Sequence, residues 1–155
     1  MNRHILFRAK RKDNGEWVYG YYATQSNHAC FQSELKYTSF ILKDEFMDWG
    51  LGGLAEYEVI PESVGQFTGL TDKKGKKIFE GDIVRYETID RNGYDGIYKV
   101  VFEDRNGCGY FGIAYCDIET CCFCYSVPAS QMEVIGNIYD NLELLRSENE
   151  QRTAD

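Results

Sequence analysis

The sequence predicts a mainly β protein, on three observations. Asn-Gly, a dipeptide that accepts the positive φ of tight hairpin turns, occurs three times, at Asn14-Gly15, Asn92-Gly93 and Asn106-Gly107. Short apolar alternations flank these turns, and no long segment keeps a helical period. The composition, 43% hydrophobic and 27% charged with 2 Pro, belongs to a chain that folds and excludes collagen-like, low-complexity and disordered classes.

Taken in order, the elements divide into two lobes. The N-terminal lobe, residues 1–60, opens with a hairpin: runs 5–9 and 17–22 flank Asn14-Gly15. A polar connection containing His28 follows, then a run over 35–42 and a loop ending in Gly50-Leu51-Gly52-Gly53. Tyr57-Glu58-Val59-Ile60 reads as a short strand stopped by Pro61, whose ring fixes φ and removes a ladder donor. Residues 61–77 read as turn-rich. A second strand series then runs through 78–86, 97–103, 110–115, 122–127 and 132–136, and five short strands with tight turns predict a small SH3-like β-barrel over 66–140. Asp140 as a cap, with Glu143 three residues on and Leu144-Leu145 after it, predicts a short C-terminal helical turn. The tail 147–155 has no large apolar residue and is expected to fray.

Charge and length narrow the function classes. The 17 basic and 25 acidic residues leave a net charge of −8, which argues against a protein that coats nucleic acid by bulk phosphate neutralisation. No stretch approaches the ~20 apolar residues of a membrane span, and the first residues lack a signal peptide's apolar core, so a cytoplasmic protein with no membrane contact is expected.

The six cysteines are Cys30, Cys108, Cys116, Cys121, Cys122 and Cys124. Cys121 and Cys124 form a C-x-x-C, and with Cys108 and Cys116 a four-thiolate zinc site can be drawn. Zinc ribbons pair two such knuckles, however, whereas Cys108 and Cys116 are too far apart for one. Core filling by small, soft side chains is the better reading, and no metal or other cofactor is expected.

Six segments spread along nearly the whole chain are read together: Phe7-Arg8-Ala9, Val18-Tyr19-Gly20, Val64-Gly65-Gln66-Phe67-Thr68-Gly69-Leu70-Thr71-Asp72, Gly75-Lys76, Ile78-Phe79-Glu80-Gly81-Asp82-Ile83-Val84 and Glu133-Val134-Ile135-Gly136-Asn137-Ile138-Tyr139. In this order they resemble the YopX family of small phage and prophage proteins. The resemblance implies a mostly β protein with a barrel-like C-terminal part in a bacterial host, and it brings no known activity. The residues themselves have a structural explanation. Gly69, Gly75, Gly81 and Gly136 suit positive φ or close backbone approach, and Asp72 and Asp82 stand beside such turns, where carboxylates accept backbone N–H groups.

Enzyme chemistry finds little support. His4 and His28 are the only histidines. His28 with Cys30 is the only local Cys/His pair, and it lies in a polar stretch. Glu80 and Asp82 could pair as acid and base, but Gly81 between them marks a turn. Gly50-Leu51-Gly52-Gly53 lacks the Lys-Ser/Thr of a phosphate loop. No catalytic residue is assigned.

Two binding readings remain. Arg8, Lys10, Arg11, Lys73, Lys74, Lys76 and Lys77 form two local basic clusters beside Phe7, Phe67 and Phe79, a mix used by nucleic-acid-binding barrels; solvated turns whose lysines discourage edge pairing are the better reading. The 12 Tyr, 9 Phe and 2 Trp make 15% of the chain aromatic, too many for a small core, and Tyr19, Tyr21 and Tyr22 cannot all face one side of a strand. The favoured reading is therefore a protein-interaction module that binds a host or phage protein or assembles with itself, with nucleic-acid binding as its competitor.

Overall fold

The computed structural model describes residues 5–27, 36–46, 52–87, 96–105, 108–114 and 128–145. Ten strands make up most of it: β1 (Phe7–Lys10), β2 (Trp17–Asn27), β3 (Lys36–Phe46), β4 (Gly52–Glu58), β5 (Gly65–Thr71), β6 (Lys77–Phe79), β7 (Asp82–Tyr86), β8 (Gly96–Arg105), β9 (Cys108–Ala114) and β10 (Met132–Asn137). The chain divides into two compact units, Met1–Phe67 and Thr68–Asp155, and β5 runs through the boundary.

In the first unit the strands lie in the order β4-β3-β2-β1-β5. The first hairpin forms as its turn residues require. Gly15 has φ 73°, Asn14 Oδ1 accepts the N–H of Glu16, and Lys10 pairs with Trp17. Alternation then sorts the side chains: Ala9, Val18, Ile41 and Val59 point to one face and are buried together, with Phe7, Tyr57 and Val64 packed around them. A bridge between Arg11 and Val59 brings the end of β4 beside β1, so these strands curl around that cluster. Gly20 permits the curl, because a Cβ there would lie 2.1 Å from the carbonyl oxygen of Leu42. Pro61 opens a 3-10 turn whose Ser63 is buried, accepting the N–H of Lys10 at 2.8 Å and donating to the carbonyl of Ile60 at 2.7 Å.

The second unit is built on a sheet of order β10-β7-β8-β9. β7 sits inside it and has buried side chains on both faces, with Arg85 exposed. Val84 and Tyr86 join Ile78, Val100, Ile113, Met132 and Val134 on one side, while Ile83 meets Ile97 and Leu145 on the other. At about 1.5–3 kcal/mol for each such side chain, these two clusters are the unit's main source of stability. The mainly β reading holds. Among the described residues, however, no strand pair closes this sheet into an SH3-like barrel: β9 and β10 are its two ends.

Four local readings change. Gly52-Gly53, read as the end of a loop, begin β4, because both glycines pair with β3, and that strand ends at Glu58 and not at Ile60. The segment 61–77, read as turns, contains β5, because Gly65 and Gln66 pair with Arg8 and Phe7 and Gly69 bends the strand with φ 87° instead of ending it. The run 78–86, read as one strand, is two, split where Gly81 turns the chain with φ 79°. The helical residues 143–145 begin after Asp140, which lies in a turn organised by Asn137, whose Oδ1 accepts the N–H groups of Tyr139 and Asp140. Asn92-Gly93 and Asn106-Gly107 lie outside the described residues, and the strands flanking them, β7 with β8 and β8 with β9, are antiparallel neighbours.

Candidate functional site

The best candidate surface follows from parity on the first unit's sheet. With Val18, Ile41, Tyr57 and Val59 turned inward, the residues between them turn outward. Register places Tyr21 beside Leu42 and Leu42 beside Glu56, while Ala23 lies beside Phe40 and Phe40 beside Glu58. Asp44 lies beside Leu54. Tyr19 is 45% exposed, Tyr21 50% and Leu54 55%, so this outer face offers aromatic and aliphatic surface to a partner. Tyr22 takes the other face, with its ring 5.5 Å from Phe7 and its hydroxyl 3.0 Å from Ser39 Oγ. Leu42 and Leu54 escaped the sequence reading, although the alternation in Gly-Gly-Leu-Ala-Glu-Tyr-Glu was a signal for the latter.

The N-terminal basic cluster is engaged by its own chain. Arg8 is buried, with its guanidinium carbon 4.7 Å from the centre of the Trp17 ring, and Lys10 Nζ lies 5.6 Å from that ring. Arg11 lies 4.5 Å above Tyr57 and pairs with Asp13. The Tyr57 hydroxyl donates to Glu45 Oε1 at 2.8 Å, and that bond, with burial helping, holds the phenol above its usual pKa. Tyr57, followed by Lys43, holds Glu45 below the usual carboxylate range.

In the second unit Lys73 and Lys74 both pair with Glu133 of β10, whose pKa they push down to about 2. Lys76 and Lys77 are exposed. Phe79 beside them is buried, so it offers no stacking surface. Asp72, at the head of this turn, is buried. Its Oδ1 accepts the N–H groups of Lys74 at 2.8 Å and Lys76 at 2.9 Å, and its Oδ2 that of Val134 at 3.0 Å. Burial pushes its carboxyl up, but these N–H groups together hold it below the ordinary value. Gly75 completes the turn with φ 80°. Asp82 is buried as well, and its Oδ2 accepts the N–H of Phe79 at 2.8 Å, closing the turn that contains Glu80 and Gly81. Gly136 lies where a Cβ would come within 2.7 Å of Asn141 Oδ1.

The cysteine pattern and His28 fall on other ground: Cys30, Cys116, Cys121, Cys122, Cys124 and His28 lie outside the described residues. No described helix is long and apolar enough to cross a membrane.

The family model described as YopX protein matches residues 6–146. The chain belongs to the YopX family. The crystal structure of protein EF1440 from Enterococcus faecalis is similar to it at 25% identity and a TM-score of 0.50, covering 93% of this chain and 99% of that one. No curated protein matches. Within this YopX-family chain, Asp72, Gly75 and Gly81 stand in turns, whereas Gly69 bends β5, Asp82 opens β7 and Gly136, expected in a turn, lies within β10. The exposed aromatic face lies elsewhere, on β2–β4.

Proposed function

We propose that this YopX-family chain is a non-enzymatic protein-interaction module, encoded by a phage or prophage and acting in the cytoplasm of a bacterial host. The observation that carries this reading is the outer face of β2–β4, where Tyr19, Tyr21 and Leu54 are each about half exposed on a rigid, hydrogen-bonded sheet. Tyrosines on a fixed backbone offer large contact area at low entropic cost, which favours a protein ligand.

The nucleic-acid alternative is weaker. A phosphate reaching Arg11, Lys73 or Lys74 would have to displace Asp13 or Glu133. Lys76 and Lys77 are left, and two exposed lysines are a small electrostatic footprint in a chain of net charge −8.

The test compares capture from bacterial lysate, with and without nuclease treatment, by the wild type, by Tyr19→Ser/Tyr21→Ser, and by Lys76→Glu/Lys77→Glu. The reading expects a protein retained by the wild type and by the lysine variant but lost by the tyrosine variant. Retention that survives the tyrosine changes and disappears with the lysine changes or with nuclease would overturn it.

A further inference from the structure

The outer edge of β4, which no described strand pairs along residues 52–57, lies beside the proposed interaction face, and hydrogen-bond parity says which of its backbone groups point outward. Val59 donates its N–H to the carbonyl of Ser39 on β3, whereas the carbonyl of Glu58 accepts from Lys12 and the N–H of Ile60 donates to Lys10. Odd positions therefore bond to β3 and even positions point away from it. Beside residues 58–60 that outward side is covered by the end of β1. The chain then leaves through the Asn14-Gly15 turn, and β4 is the last strand of its sheet among the described residues. Among the described residues the outward N–H and C=O groups of Leu54 and Glu56 thus form an open ladder, a ready template for an added strand.

The side chains beside that ladder define what would fit. Leu54 offers an apolar contact. Asp44, its cross-strand neighbour, and Glu56, two residues along, lie on the same face and are exposed. Neighbouring Glu45 and Glu58 are matched by Lys43 and Lys12, whereas Asp44 and Glu56 have no cation within ion-pair distance among the described residues. A second copy of the chain would bring its own Asp44 and Glu56 to this edge and add like charge. A basic strand would neutralise it.

We infer that the β4 edge from Leu54 to Glu56 takes up an extended segment of the partner protein by strand addition, a segment carrying an apolar residue and a lysine or arginine two positions apart. The inference rests on the interaction reading above and names its mode.

A synthetic end-capped peptide of alternating valine and lysine is the probe, titrated into the full nitrogen-labelled chain and followed by amide NMR shifts. The expected shifts cluster on residues 52–58. A valine–glutamate peptide, and a valine–lysine peptide N-methylated at alternate residues, should bind at least about tenfold more weakly, the equivalent of one or two lost hydrogen bonds. Leu54→Pro removes an outward N–H without touching the β3 ladder and should weaken binding by a similar factor. Glu56→Lys, an exposed change with no folding consequence, should weaken it about threefold.

Shifts elsewhere, no binding at millimolar peptide, or equal binding of the N-methylated peptide would overturn the inference. So would a concentration-dependent dimer abolished by Leu54→Pro, which gives the edge to a second copy. If the peptide fails while Tyr19→Ser/Tyr21→Ser still loses its captured protein, strand addition falls and the interaction reading stands. If the peptide binds β4 and the tyrosine variant captures normally, the aromatic face falls and the edge remains.

Discussion

Asp72 Oδ2 accepts the backbone N–H of Val134 at 3.0 Å, joining the turn between β5 and β6 to β10 across 62 positions of sequence. Lys73 adds a second tie, its N–H donating to the carbonyl of Met132 at 2.9 Å. Because Asp72 also holds the N–H groups of Lys74 and Lys76, its loss leaves three donors to find other partners. Asp72→Ala should lower unfolding free energy by about 3 kcal/mol in a denaturant titration, and Asp72→Asn by less, since an amide oxygen replaces only part of the carboxylate's acceptor capacity.

Glu133 sets an acid limb for the same corner. Its ordinary pKa of 4.5 falls to about 2 in the folded chain, with Lys73 the larger cause and Lys74 the next. A group whose folded value lies below its unfolded one contributes its full stability above the unfolded value, and that contribution fades as the pH falls toward the folded value. The window is therefore from about 4.5 down to about 2. Asp72, also held low, adds to the loss in the same direction. Carboxyl NMR titration should find Glu133 depressed at low salt. Replacing both lysines with methionine should return it toward its ordinary value and flatten the acid dependence of stability.

Two glycines with the same backbone sign separate turn geometry from crowding. Gly15 and Gly81 have φ 73° and 79°, but a Cβ on Gly15 meets nothing within 4 Å, whereas one on Gly81 comes 3.1 Å from Tyr139 Cε2. Gly15→Ala should cost about 1 kcal/mol, the left-handed penalty alone. Gly81→Ala should cost about 2–3 kcal/mol, because the Tyr139 ring must also give way. Equal losses in thermal unfolding would mean that the ring moves freely.

The strand class and the turn at Gly15 were legible because both are local: side-chain parity and the positive φ of Asn-Gly need no knowledge of the rest of the chain. The strand at Gly65–Thr71 was hidden, since Gln66, Phe67 and Thr68 stand between Gly65 and Gly69, which look like turn markers although Gly65 itself pairs with Arg8. The basic clusters were visible, but not their neutralisation. Lys12 meets Glu58 and Lys74 meets Glu133 at separations of 46 and 59 residues, which only the folded registers reveal. For the same reason, three tyrosines within four residues announced that some must be exposed without showing that Leu42 and Leu54 extend the surface across two further strands.

Gly20 tests the curl of the first unit. A methyl there would meet backbone, the carbonyl oxygen of Leu42 at 2.1 Å and its carbon at 2.9 Å, and a strand cannot retreat as a side-chain tip can. Gly20→Ala should destabilise the chain by at least about 2 kcal/mol and disturb amide shifts along both β2 and β3. An unchanged spectrum would show that the two strands do not approach so closely.

The proposal that this YopX-family protein binds protein through the outer face of β2–β4 is tested most directly by the salt dependence of whatever it retains from host lysate. An interface built on Tyr19, Tyr21 and Leu54, with at most a few charge contacts at its margin, should keep its affinity within about threefold when salt is raised from 50 to 200 mM, where a complex neutralising several phosphates loses orders of magnitude. Retention that is nearly flat in salt, insensitive to nuclease and lost in Tyr19→Ser/Tyr21→Ser is the predicted result; retention that collapses as salt rises and is lost in Lys76→Glu/Lys77→Glu would contradict it.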